Sequence, residues 1–216
     1  MPKLRWGIAT TSQHIHRINE VAEQLPNSVV AGQVLGCNTW NVKGITSQVD
    51  GFLFVGSGVF HPIAIARATK KPVWCWNPAT QTLAELDKRL VEGYEKRNRA
   101  GIAHFLTAKS VGVLVSARPG QKNLGRSLDL QAACPNKKVY VFVCDTLNIN
   151  ELENWPFIDC WVNTLCPRLD DEKLPRFVNI DELKDAGVID LKTKQSHEVP
   201  IWMSKRGLTK IAVKAK

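Results

Sequence analysis

The chain has 216 residues, 44% of them hydrophobic, which is enough for one large or two small domains with real cores. It contains no apolar run of about 18 residues and no signal-peptide pattern, so we expect a soluble cytoplasmic protein without a membrane partner. The net charge of +9 favours an acidic partner, although no compact basic motif indicates nucleic acid. A soluble basic surface explains the same charge.

The six cysteines favour metal ligation or reduced thiols over disulfides, because the chain is long and carries no secretory signal. No CxxC pair occurs, which argues against a self-contained zinc ribbon or a thioredoxin-type site. The CxxxCxxC loop of ordinary radical S-adenosylmethionine enzymes is absent as well. The candidates for a metal site are therefore cysteines that lie far apart in the sequence.

The first half of the chain alternates strand and helix patterns, with glycine at the strand ends. This alternation is typical of a mainly parallel sheet. The predicted strands are 4–9, 52–55 and 73–76, together with an extended piece that begins at 29 and runs into 32–38. The predicted helices run from caps at Thr10, Thr11 and Ser12 to Leu25, and from His61 to Lys71.

The residues from Thr82 to about Ala108 contain few helix breakers, so we predict one long helix that joins two lobes. The pattern then restarts, with strands over 111–115, 139–143 and 158–165 and helices over 126–133 and 149–155. The predicted fold is α/β, with two similar lobes, each a small mainly parallel sheet flanked by helices, and a cleft between them. We place the lobes at 1–88 and 89–190. A basic extension follows at 191–216, either a packed hairpin or a loose tail.

Two cysteines, Cys37 and Cys166, each follow an apolar strand and stand beside a turn-forming residue. Pro167 has no N–H to donate, so we expect the strand before it to stop at about Cys166. Ligands gather at the carboxyl ends of strands in open α/β sheets. If the lobes face each other, the two thiolates meet in the cleft, where they suit an iron–sulfur cluster or zinc whose third ligand comes from elsewhere. A small apolar residue at the end of a core strand is the alternative.

The other four cysteines have simpler explanations. Cys75, Cys144 and Cys160 lie in or at the ends of predicted strands, where we expect them to fill the core. Cys134 falls in a turn that ends a predicted helix. We therefore expect none of these four to bind a metal.

Two loops at strand ends are candidate anion sites. The loop 55–58 (VGSG) opens a helix, a geometry that favours phosphate or carboxylate, although His61 stands where a third Rossmann glycine would be. The loop 118–121 (RPGQ) brings a cation to the same cleft. Each loop alone is also consistent with an ordinary turn, and His14 and His16 with a capping role at a helix start.

Five short motifs stand in a distinctive order along the chain. They are TTSQHIH (10–16), GQVLGCN (32–38), FVGSGVFHP (54–62), ARPGQ (117–121) and CPRL (166–169). In this order they resemble the archaeal diphthamide-synthesis enzyme family, the 2-(3-amino-3-carboxypropyl)histidine synthases. The resemblance covers about residues 4–185 and includes FVNIDEL at 177–183.

Members of that family have three similar α/β domains, each of which contributes one cysteine to a 4Fe-4S cluster. The cluster engages S-adenosylmethionine, and reductive cleavage releases a 3-amino-3-carboxypropyl radical that attacks a histidine of translation elongation factor two. The resemblance thus implies a 3-amino-3-carboxypropyl transferase of diphthamide biosynthesis. It makes Cys37 and Cys166 the ligands from the middle and last domains, and Arg118 and Arg168 candidate catalytic residues.

The resemblance also implies which residues hold S-adenosylmethionine, whose carboxylate suits a helix N-terminus or an arginine such as Arg118. The candidates are Gln13, His14, Gln33, Gly56, Ser57, Gly58, His61, Pro119, Gly120 and Gln121. An external donor is expected to supply the electrons, because no second cluster motif is present.

The chain departs from the family because it begins where the second domain is expected, so the first domain and its cysteine are missing. A separate first-domain protein would make the chain one subunit of a split enzyme. A second copy of the chain or a non-protein ligand could instead complete the cluster. If the cluster is lost, the chain is a non-catalytic binding or regulatory paralogue. A protein that binds RNA through its basic tail is a third hypothesis.

Overall fold

The computed structural model describes residues 4–192, except 119–122, 173 and 175. Its contacts divide the chain into two compact units, Met1–Leu106 with Cys166–Val178 and Thr107–Leu165 with Asn179–Lys216. Each sheet is mainly parallel and flanked by helices, which confirms the predicted fold class. None of the helices in the described ranges is both long and apolar enough to cross a membrane. The predicted basic extension lies outside the described residues from position 193 onward.

The first sheet has five strands. They are β1 (Trp6–Thr10), β2 (Val29–Gln33), β3 (Gly51–Val55), β4 (Val73–Asn77) and β5 (Thr82–Glu85). Their order is β2-β1-β3-β4-β5, with the first four parallel and β5 antiparallel to β4. From β1 the chain continues to β2 on one side, and from β2 it crosses to β3 on the other side of β1. The carboxyl ends of β1 and β3 therefore flank a topological switch point. Ligands gather at such points in open α/β sheets.

Helices cover both faces of this sheet because alternate strand residues point to opposite sides. The helices are α1 (Ile18–Glu23), α2 (Trp40–Gly44) and α3 (Phe60–Thr69). Ile18 of α1 packs with Ile8 and Leu53 on one face, and Ile65 of α3 packs with Phe52 and Phe54 on the other. The sequence did not predict α2. The helix predicted up to Leu25 is wrong in extent, since a short 3-10 turn precedes α1 and α1 itself has six residues.

The prediction of one helix from Thr82 to Ala108 is wrong at its start. The first four of these residues form β5, and the helix, α4 (Lys88–Thr107), begins only after them. Gln81 has a φ of 52°, in the left-handed region that reverses a chain at a tight turn. The reversal pairs Leu83 with Trp76 of β4. Backbone hydrogen bonds to a sheet edge therefore override the helical spacing of the leucines.

The second sheet has four strands, and two helices lie between or after them in the chain. They are β6 (Ser110–Ser116), α5 (Leu124–Ala133), β7 (Lys138–Cys144), β8 (Cys160–Asn163), β9 (Phe177–Asn179) and α6 (Ile180–Asp185). The strand order is β7-β6-β8-β9, and β6 pairs in parallel with both β7 and β8. The helix predicted at 149–155 is a 3-10 helix, Ile149–Asn154.

The strand before Cys166 is shorter than predicted. It ends at Asn163 because the side-chain oxygen of Asn163 accepts the backbone N–H of Leu165 at 2.9 Å, which turns the chain out of the sheet. Pro167 then begins a 3-10 helix, Pro167–Glu172.

One glycine of the second sheet is fixed by packing. A side chain at Gly112 of β6 would overlap the indole of Trp161, which is 7% exposed and lies edge-on to Phe142 at 4.9 Å. We predict that Gly112→Ala lowers the free energy of unfolding by about 1–3 kcal/mol, because the sheet has no room for the extra carbon.

The matched control is Gly93→Ala in α4, where a new Cβ meets nothing closer than Arg97 at 3.8 Å. This variant should raise the free energy of unfolding by up to about 1 kcal/mol through helix propensity. Urea denaturation followed by circular dichroism measures the free energy of unfolding of both variants. Equal stability of the two variants would contradict the packing of Trp161 across β6.

Candidate functional site

Three strand ends meet at the carboxyl edge of the first sheet. Thr10, the last residue of β1, lies in register with Gln33 of β2 and with Val55 of β3, and its hydroxyl donates to the Val55 carbonyl at 2.7 Å. The predicted residue Gln33 therefore lies beside the switch point. Gln13, exposed, and His14, half-buried, occupy the turn that follows β1 at the same edge.

The glycine loop after β3 leads from this edge into α3. The Gly56 N–H donates to the Trp76 carbonyl at 2.9 Å, and Gly58 has a φ of 75° that favours glycine. No side chain caps the start of α3, and its first bond runs from the Ile63 N–H to the Val59 carbonyl. Helix N–H groups without capping partners attract anions. The loop 56–58 therefore leads into a helix start that no side chain caps, and its role in binding a cofactor stays a prediction.

Cys37 lies at the tip of a two-residue turn. The turn is closed by two backbone hydrogen bonds between Leu35 and Asn38, at 3.1 and 2.9 Å. Any side chain at Gly36 would overlap the ring of Phe60, so the turn packs directly against the first residue of α3. The side chain of Cys37 is exposed. The sequence placed this cysteine after a strand but did not predict the contact of the neighbouring Gly36 with Phe60 of α3.

Cys166 is also exposed, at the start of the 3-10 helix that follows β8. By its contacts it belongs to the first compact unit, the unit that also contains Cys37. Burial and, second, the positive charge of Arg168 lower the pKa of His61 in α3. The predicted residue Arg168 therefore lies within electrostatic reach of the same helix start.

The start of α3 has one packing contact with the Cys37 turn and one electrostatic interaction with Arg168. Phe60 contacts the Cys37 turn, and the next residue, His61, is affected by the charge of Arg168, two positions after Cys166. The imidazole of His61 stacks on Phe54 with ring centroids 5.8 Å apart and meets Phe60 edge-on at 5.4 Å. The start of α3 therefore follows the glycine loop and packs against the Cys37 turn, and its His61 is subject to the charge of Arg168.

The other four cysteines have environments that disfavour the thiolate. Burial raises the pKa of Cys75 to about 11 and that of Cys160 to about 12. It raises the pKa values of Cys134 and Cys144 as well. Because a thiolate is the form that binds metals, these positions are poor candidates for ligands.

Arg118 lies at the carboxyl end of β6 and already has partners. Its guanidinium contacts the carboxylate of Asp145 at 3.3 Å and donates to the Thr146 hydroxyl at 3.2 Å. A bound carboxylate would have to compete with Asp145 for this cation. The neighbouring predicted residues, Pro119, Gly120 and Gln121, lie outside the described residues.

The sequence analysis missed a set of buried polar residues at the carboxyl edge of the second sheet. They are Ser116, Asn123, Arg126, Ser127, Asn163, Thr164, Asn179 and Glu182. Two of them, Asn163 and Thr164, immediately precede the segment that carries Cys166. Polar residues directly after an apolar strand were the available signal.

Two mainly parallel sheets flanked by helices define an α/β protein. The family described as "Putative diphthamide synthesis protein" matches residues 2–178, and the chain belongs to this family.

Known relatives agree with this assignment. The chain is 33% identical over 181 residues to the 2-(3-amino-3-carboxypropyl)histidine synthase of Pyrococcus horikoshii, covering 76% of this chain and 51% of the relative. It is 28% identical to subunit 1 of the Yarrowia lipolytica synthase, covering 64% of this chain and 31% of that one. The crystal structure of Dph2 from Pyrococcus horikoshii with a 4Fe-4S cluster aligns with a TM-score of 0.71 at 30% identity, over 87% of this chain and 58% of that chain. The chain thus spans about half the length of its archaeal relative.

The proximity of Arg168 to His61 can be tested by titration. Arg168→Ala removes a positive charge that disfavours protonation of the imidazole, so we predict that the pKa of His61 rises toward its ordinary value. Part of the lowering should remain because it comes from burial. Proton–carbon NMR spectra of the imidazole, recorded as a function of pH, measure this pKa.

Arg118→Ala is the matched control, because it removes an arginine that is paired with Asp145 instead. The control should leave the pKa of His61 unchanged. The same pKa in the wild-type protein and in Arg168→Ala would show that the Cys166 segment does not lie near α3.

Proposed function

We propose that this chain is a subunit of a 3-amino-3-carboxypropyl transferase of diphthamide biosynthesis, in which Cys37 and Cys166 ligate a 4Fe-4S cluster. The observation that supports the proposal is that both exposed cysteines belong to the same compact unit. The archaeal relative is named a synthase of this type, and the similar Dph2 structure contains a 4Fe-4S cluster.

The donor set fits such a cluster in part. Iron–sulfur clusters are held by cysteine thiolates, and this chain offers two exposed thiols on loops after strand ends. Within the ranges that the structure describes, no group of three His, Cys, Asp or Glu side chains is placed to hold a metal ion. A further ligand would come from a separate first-domain protein or a second copy of the chain. Cys37 and Cys166 would hold the cluster, which when bound would supply the single electron for cleavage of a carbon–sulfur bond of S-adenosylmethionine.

The first unit offers groups that would orient S-adenosylmethionine. The loop 56–58 and the uncapped start of α3 suit its carboxylate, and Gln33 lies at the adjacent strand end. His14 borders a groove of about 420 Å³ together with Val21 and Leu53, on the face of the sheet that α1 covers. The half-buried His61 would bring an aromatic face beside the cysteine segments. We propose that Arg168, whose charge acts on His61, stabilises negative charge during the reaction.

The protein substrate would be translation elongation factor two, modified at a histidine. A net charge of +9 suits an acidic partner surface. The name of the Yarrowia relative, a subunit 1, is consistent with a reaction that needs more than one chain. An external electron donor and a cytoplasmic location complete the proposal.

Anaerobic reconstitution with iron and sulfide tests the proposal, with the full chain alone and with the candidate first-domain protein. We predict about four irons per complex and an electron paramagnetic resonance signal that appears when the cluster is reduced. Cys37→Ala and Cys166→Ala should each reduce the iron content severalfold. Cys134→Ala is the matched control, because this half-buried thiol lies at the end of α5 and should not affect iron.

Equal iron content in all three cysteine variants would contradict the ligand assignment. A wild-type chain that remains free of iron with the first-domain protein present would contradict the enzyme proposal. It would support a non-catalytic paralogue.

A further inference from the structure

Three side-chain hydrogen bonds fix the backbone just before Cys166. The Asn123 amide donates to the Thr164 carbonyl at 2.6 Å, and the Asn163 side-chain oxygen accepts the Leu165 N–H at 2.9 Å. The Thr164 hydroxyl donates to the Leu114 carbonyl of β6 at 2.7 Å. Where β8 ends, side chains therefore make hydrogen bonds to backbone N–H and carbonyl groups. The backbone of Thr164 and Leu165, immediately before Cys166, is therefore held by these bonds.

The residues that make these bonds are themselves held in place. Asn123 is 7% exposed, and its carbonyl accepts both the N–H and the hydroxyl of Ser127 at 3.2 Å, which ties it to the first turn of α5. Asn163 is 2% exposed and donates to the side-chain oxygen of Asn179 at 2.6 Å. A buried polar network whose members are all hydrogen-bonded rigidifies the segment that it contains.

The Cys37 loop has a similar hydrogen bond. The amide of Asn41 donates to the Gln33 carbonyl at 2.9 Å, four residues before Cys37. In both loops an asparagine amide thus binds a backbone carbonyl between the strand end and the exposed cysteine. The Asn41 side chain is exposed and that of Asn123 is buried, so the bond before Cys166 is the better protected of the two.

We propose that Asn123 is a positioning residue that holds the Cys166 loop in its ligand-binding geometry, and that Asn41 does the same for the Cys37 loop. The inference rests on the proposed role of the two cysteines as cluster ligands. Neither asparagine ligates the metal. Each acts through the backbone that carries a thiol.

Asn123→Asp separates this role from packing, because aspartate has nearly the same shape and lacks the N–H that Thr164 accepts. We expect amide hydrogen exchange at Thr164 and Leu165 to become about tenfold faster, as the loop opens more often. Exchange at Val34, whose N–H donates to the Thr10 carbonyl in the first sheet, should not change. Asn41→Asp is the matched control and should give the reverse pattern, faster at Val34 and unchanged at Thr164.

A second readout follows the cluster. In protein reconstituted as above, Asn123→Asp should alter the electron paramagnetic resonance line shape of the reduced cluster or lower its iron content, although both cysteines remain. If the aspartate variant does not fold by circular dichroism, Asn123→Ala replaces it in both measurements.

Unchanged exchange at Thr164, or an unchanged spectrum in a variant whose loop exchanges faster, would overturn the inference while the wild-type cluster persists. A wild-type protein without a cluster would instead contradict the proposed function, and hydrogen exchange would still report whether Asn123 holds the loop. The two failures are therefore distinguishable.

Discussion

The contact between Gly36 and Phe60 is the constraint on which the candidate site depends. Without a side chain at position 36, the Cys37 turn can rest on the aromatic ring that begins α3. The same helix start receives the glycine loop from β3 and carries His61, whose pKa is affected by Arg168. A larger residue at 36 would force the turn away from the ring. The site thus rests on one close approach of backbone to an aromatic side chain.

Different kinds of interaction hold the two cysteine loops. Packing against α3 and two backbone hydrogen bonds define the Cys37 turn. Buried side-chain hydrogen bonds define the segment before Cys166. A hydrogen bond contributes only about 1 kcal/mol net, but a buried group that loses its partner costs about 1–3 kcal/mol. The hydrogen bonds before Cys166 therefore define the geometry of that segment but add little to the free energy of unfolding.

Much of the fold could be predicted from local patterns. The buried runs at 52–55 and 73–76 are apolar and bounded by glycine or proline, and they form β3 and β4 within one residue of the predicted ends. The spacing of Leu83 and Leu86 suits a helix as well as a strand edge, so only the pairing with β4 identifies β5. For the site, the position of Cys37 after a strand was visible in the sequence. The contact of Gly36 with Phe60 and the hydrogen bond from Asn123 to Thr164 were not, because tertiary contacts of single residues leave no periodic pattern.

Anomalous diffraction at the iron edge, from crystals of the anaerobically reconstituted complex, tests most directly whether Cys37 and Cys166 ligate one cluster. If they do, we expect a compact group of iron peaks with the sulfur atoms of both cysteines bonded to different irons. Iron peaks remote from either sulfur, or two separate iron sites at the two cysteines, would contradict it.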